Sequence, residues 1–179
     1  MDLFKDKTVD GICGFFDIEV RDGRFVPGAE DVDGWEHVES RVKLTYEGNV
    51  LYDGVYRQGI SCLYYDVKLT GRSSSLLTKE FWKCCVEGGL VRGMPLSDQR
   101  KTLTGWVKPK VADVLYSVLQ DGRAYFDALT FEDWRGECGY DDSIKAKATY
   151  DACMETGRRF QSVFRPEEIK TLQEAFSDY

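Results

Sequence analysis

The hydrophobic period of the chain changes once, and that change restricts the fold more than any single motif does. In Phe-Phe-Asp-Ile-Glu-Val, residues Phe16, Ile18 and Val20 alternate with Asp17 and Glu19, the two-residue period of a half-buried strand. Val38, Val42, Leu44 and Tyr46 continue the pattern, and Val50 to Tyr56 and Ile60 to Leu69 are rich in β-branched and aromatic residues. Asp22-Gly23 predicts a hairpin-type turn before Arg24-Phe25-Val26, and Glu47-Gly48-Asn49 predicts another. Beyond Pro109 the spacing lengthens: Val111, Val114, Leu115, Val118 and Leu119 fall at i, i+3, i+4, i+7 and i+8. Strands first and helices last predict an α+β fold, an N-terminal antiparallel sheet of three to five strands packed by C-terminal helices.

Punctuation refines the helical part. Pro109 suits a first helical position, and Asp121-Gly122 marks an end. Thr130 with Asp133 reads as a capping-box-like start of a short helix that Gly139 terminates. Asp142 or Ser143 caps a longer helix whose stripe is Ala146, Tyr150, Cys153, Gly157, Phe160 and Phe164. Pro166 opens a last helix with Ile169, Leu172 and Phe176 on its apolar side. Between the two regimes, Thr78 caps a helix over Lys79 to Glu87, and Gly88 to Gly105 reads as a long loop. At 179 residues with 42% apolar residues, one core is expected: residues 1–70 mainly β, 71–108 a helix plus loop insertion, and 109–179 helical.

A net charge of −7 is unevenly spread. Residues 1–40 carry 11 acids and 4 bases, residues 41–125 carry 8 and 13, and residues 126–179 carry 12 and 7. Acidic ends argue against non-specific nucleic-acid binding, while a basic middle keeps a local phosphate contact open. No run approaches the length of an apolar membrane span, and the start, Met-Asp-Leu-Phe-Lys-Asp-Lys, has acids where a signal peptide needs a basic region and an apolar run. A cytoplasmic protein is expected. The six cysteines then read as reduced thiols, and with no Cys-x-x-Cys and one histidine, His37, neither a metal site nor a cofactor is expected.

Four places carry candidate chemistry. Asp141-Asp142 resembles an acid pair, but adjacent acids before a helix diverge, and orphan backbone N–H groups there call for a cap. His37 beside a cysteine would make a nucleophile and base, though nothing in the sequence brings a particular thiol to it. Arg92, Arg100, Lys101, Lys108 and Lys110 lie in or just after the glycine-bearing loop and form the best phosphate or nucleic-acid contact in the chain, without a P-loop or dinucleotide-binding order. Glu30, Asp31, Asp33, Trp35 and Glu36 form an acidic segment with an aromatic anchor, suited to a basic protein partner.

The segment from Phe131 to Cys153 resembles a signature of small bacteriophage and prophage proteins, carried here by Phe131, Trp134, Gly139, Tyr140, Asp141, Asp142, Ser143, Ala146, Tyr150, Ala152 and Cys153. Pro109, Ala112-Asp113-Val114-Leu115 and the strand Arg41 to Gly48 extend the resemblance to about residues 38–60 and 109–179, with a large insertion between and one residue fewer between Gly-Tyr-Asp and Asp-Ser. The resemblance implies an origin on a phage or mobile element and a role in binding host machinery in the bacterial cytoplasm. The expected function is therefore an accessory protein that binds and modulates a host protein or complex, an anti-CRISPR-like inhibitor being one form. A nucleic-acid-binding accessory protein and a cysteine- or carboxylate-dependent enzyme are the alternatives.

Overall fold

In a computed structural model of the chain, which describes residues 4–26, 37–59 and 109–179, the change of period becomes a change of layer. Strands β1 (Phe16–Val26), β2 (His37–Tyr46) and β3 (Asn49–Gly59) form an antiparallel sheet in the order β1-β2-β3. A one-turn helix, α1 (Val9–Cys13), precedes them. Helices α2 (Val111–Phe126), α3 (Phe131–Cys138), α4 (Ile144–Val163) and α5 (Pro166–Ala175) close the chain. The fold is α+β, with helices packed on the sheet.

The chain divides into two compact units, Met1–Glu19 with Val42–Gly54 and Lys110–Tyr179, and Val20–Arg41 with Val55–Pro109. In the first, the alternating residues Phe16, Val42, Leu44, Tyr46 and Leu51 are buried, as are the stripes of the helices. Phe164, at the end of α4, joins sheet and helices. Its ring lies 4.8 Å from Tyr46, 6.0 Å from Phe16 and Phe4, and 5.9 Å from Phe160. In the second unit, Arg57 Nε pairs with Glu39 Oε1 at 3.1 Å, and Ser40 is buried. The strand expected over Ile60 to Leu69, the helix from Thr78 and the loop Gly88 to Gly105 lie outside the described residues.

Local signals were read well at some boundaries and misread at others. Glu47 and Gly48 both have positive φ, 47° and 78°, the two-residue turn whose twist matches that of a hairpin. Asp22 also has a left-handed φ of 55°, yet β1 runs through it to Val26. Asp is one of the few residues tolerant of that region, so Asp22-Gly23 makes a local excursion in a strand and not the hairpin expected there. Helix α1 went unforeseen because five residues are too few to show a period. Thr8 Oγ1 nonetheless caps it, accepting from Gly11 N at 3.1 Å.

Two corrections concern α2. Pro109 lies outside the helix, and the Lys110 N–H at its edge donates to Asp113 Oδ2 at 3.0 Å. Gly122 does not end the helix, which continues to Phe126. A Cβ on Gly122 would lie 3.4 Å from the Gly157 Cα, and one on Gly157 would lie 2.7 Å from the Gly122 carbonyl oxygen. The two glycines are where α2 and α4 cross, and at Gly157 in particular they permit a backbone approach that a side chain would block.

Candidate functional site

Helices α3 and α4 meet at a five-residue corner, Gly139 to Ser143, and each side of it is built by short-range bonds. Thr130 Oγ1 accepts from Asp133 N at 3.2 Å and donates to Asp133 Oδ2 at 2.8 Å, starting α3. Gly139 ends α3 with φ of 73°, the left-handed C-terminal position that glycine fills without strain. Ser143, the second of the two cap candidates, starts α4 by accepting from Ala146 N at 3.1 Å. Asp142 is left exposed, and neither it nor Asp141 forms a hydrogen bond or ion pair among the described residues. Both carboxylates instead join Glu132 in holding the Arg135 guanidinium more firmly charged.

An aromatic cluster supports the corner. Trp134 is buried and stacks on Tyr140 at 4.9 Å and on Phe131 at 6.3 Å, with Tyr150 at 5.6 Å. Tyr150 donates its hydroxyl proton to the Leu129 carbonyl at 2.6 Å, which ties α4 to the connection between α2 and α3. Lys147 Nζ lies 4.7 Å from the Tyr150 ring and 5.4 Å from the Phe131 ring, and pairs with Asp151 Oδ1 at 3.1 Å. Phe131, Trp134, Tyr150 and Cys153 thus pack a small core with Ala124, Leu129 and Met154.

The outer face is different. Phe131, Ile144 and Ala148 line an open groove of about 520 Å3 together with Asp142, Lys147 and Asp151. Ile144 is 92% exposed and Tyr140 44% exposed. An isolated exposed apolar residue is ordinary, but Ile144 lies beside Phe131 and Ala148 in a groove whose lining also holds Asp142 and Asp151, and stacked rings run behind it from Phe131 through the buried Trp134 to Tyr140. Sequence reasoning passed over Ile144 as a site residue. The signal was present: Ile144 stands two residues before Ala146, about 200° around the helix from the buried stripe.

Of the expected site residues, only Lys110 lies among the described ones, exposed at the entry of α2. Glu30, Asp31, Asp33, Trp35 and Glu36, and Arg92, Arg100, Lys101 and Lys108, lie outside them, as do Cys62, Cys84 and Cys85. The three described thiols are all pushed toward the protonated form. Burial first, then Asp121 and Cys138, drives Cys153 up to about 12; burial and Glu137 raise Cys138, and burial and Asp10 raise Cys13. That is the opposite of an activated nucleophile. Among the described residues no three His, Cys, Asp or Glu side chains converge as a metal set, and no helix is long and apolar enough to cross a membrane. No family model, curated protein or solved structure matches the chain.

Proposed function

We propose that this protein works by binding another protein, with the α3–α4 corner as the contact. The exposure of Ile144 above the acid-rimmed groove supports the reading: a side chain 92% exposed adds nothing to the core, while Phe131 and Ala148 beside it extend an apolar surface. Burying such a surface supplies binding energy, and the Asp142 carboxylate in its lining, with Asp151 already paired to Lys147, favours a basic partner. The partner that fits is a protein segment presenting apolar side chains beside lysine or arginine. Thiols pushed upward support binding over covalent catalysis. The phage-protein resemblance of Phe131 to Cys153 adds the biological form of the proposal: an accessory protein of a phage or mobile element that binds a host complex in the bacterial cytoplasm, an anti-CRISPR-like inhibitor being its most specific version.

The test compares capture of host proteins by the wild-type chain, by Ile144→Asp and by Thr8→Ala. Ile144→Asp touches no core residue and is expected to abolish capture of the specific partner with no change in thermal midpoint. Thr8→Ala removes the cap of α1, which lines no part of the groove; it costs about 0.5–2 kcal/mol and is expected to lower the midpoint while leaving capture intact. Equal capture by wild type and Ile144→Asp, or turnover of a substrate by the purified chain alone, would overturn the proposal.

A further inference from the structure

A second concavity, sharing no residue with the corner, lies where the end of α2 faces α4 and α5. It encloses about 640 Å3, within the range that holds a small organic ligand. Its walls are apolar and partly aromatic: Tyr125 and Phe126 from α2, Met154 from α4 and Ile169 from α5. Aromatic edges and a thioether favour a flat ring over an aliphatic chain.

The polar side chains of the lining include an ammonium group and two amides able to donate. Gln161 on α4 and Gln173 on α5 line the cavity, and neither side chain has a hydrogen-bond partner among the described residues. Lys170 stands three residues before Gln173, so the two share one face of α5. Its ammonium group is 76% exposed and only loosely held by Glu174, at 3.9 Å. Asp127, the one acid in the lining, is already matched by Arg123 Nε at 3.0 Å. The charge left to meet a ligand is therefore positive, and the amides beside it have N–H groups to spare.

We infer that this cavity binds a small aromatic carboxylate, its ring against Tyr125, Phe126 and Met154 and its carboxylate accepting hydrogen bonds from Lys170 and the two glutamine amides. Charge-assisted bonds from an ammonium and amide N–H groups are the stronger kind, and they reward an anion over a cation on the same ring.

The full chain is titrated with 2-naphthoate and with 2-naphthylmethylammonium, followed by ligand fluorescence and by the Met154 methyl resonance. These probes share a ring and differ in the sign of their charge. Naphthoate is expected to bind, to shift the Met154 methyl, and to bind about tenfold or more tightly than the ammonium probe. Lys170→Gln, at an exposed position, should weaken naphthoate by about tenfold and leave the ammonium probe bound as well as before or better. Met154→Trp should fill the cavity and remove both, with its fold checked by circular dichroism; if that variant fails to fold, Lys170→Gln decides. Equal affinity for the two probes, naphthoate binding indifferent to Lys170→Gln, or no naphthoate binding overturns the inference. The corner proposal stands or falls separately, since Ile144→Asp leaves this cavity untouched.

Discussion

The Asp121 carboxyl, on α2, is lifted from its ordinary value of 3.8 to about 6 by burial, and it raises the pKa of Cys138 and Cys153 in turn. No hydrogen bond or ion pair to Asp121 compensates its charge among the described residues. The folded chain therefore holds this proton up to a pH at which the unfolded chain has lost it. Because the folded state binds more protons between about pH 4 and 6, Asp121 lowers stability as pH rises through that window, and the loss persists above it. A shift of about two units corresponds to about 3 kcal/mol. Asp121→Asn is expected to be more stable than wild type at pH 7.5 by up to that amount and nearly equal to it at pH 4. Urea unfolding at the two pH values measures the difference; a constant offset would show that the carboxyl does not titrate in this way. Nothing in the sequence announces this environment, since Asp121 reads there as part of a helix stop, beside Gly122.

At the level of the elements, the α2–α4 crossing is the contact least tolerant of change. A Cβ on Gly157 would lie 2.5 Å from the Tyr125 Cβ and 2.7 Å from the Gly122 carbonyl oxygen, so backbone would have to move. A Cβ on Gly122 meets chiefly the Phe126 ring, at 2.7 Å, a side chain able to swing, and lies at 3.4 Å from the Gly157 Cα. Overpacking costs about 1–3 kcal/mol, against a gain of up to about 1 kcal/mol from replacing glycine by alanine within a helix. Gly157→Ala is thus expected to lower the thermal midpoint clearly, and Gly122→Ala to lower it less. The reverse order would mean that the helices separate more easily than this packing implies. Both glycines are plain in the sequence, but one was legible as a helix stop and the other as a stripe member. Their common purpose depends on contact between two positions more than thirty residues apart in the chain, which no local period encodes.

At the largest scale, Phe164 joins two kinds of layer within the unit that holds the helices. Its ring touches Phe4 before the sheet, Phe16 and Tyr46 within it, and Phe160 on α4. Replacing a buried phenylalanine by alanine costs about 3–5 kcal/mol, a large share of the roughly 5–15 kcal/mol that holds a domain folded. Phe164→Ala is expected to lose the near-ultraviolet circular dichroism of the core and to unfold at much lower urea concentration. A small shift with the aromatic signal retained would show that sheet and helices cohere without it.

The sequence by itself determined the class of fold, because a two-residue and a 3.6-residue apolar period bury different faces and leave few ways to combine. It also determined both ends of α3 and the starts of α4 and α5, since Thr130, Gly139, Ser143 and Pro166 act on backbone groups within a turn of themselves. What sat next to what was decided by the tertiary structure alone. The acid pair Asp141-Asp142 is noticeable as a motif, yet packing leaves only Asp142 in the lining of the groove and hands the cap to Ser143. Ile144 is a single letter out of phase with its stripe until Phe131, from another helix, is placed beside it. Burial of Asp121, the approach of Gly122 to Gly157 and the cavity under Lys170 all arise from residues distant in sequence, so only the folded chain could bring them together.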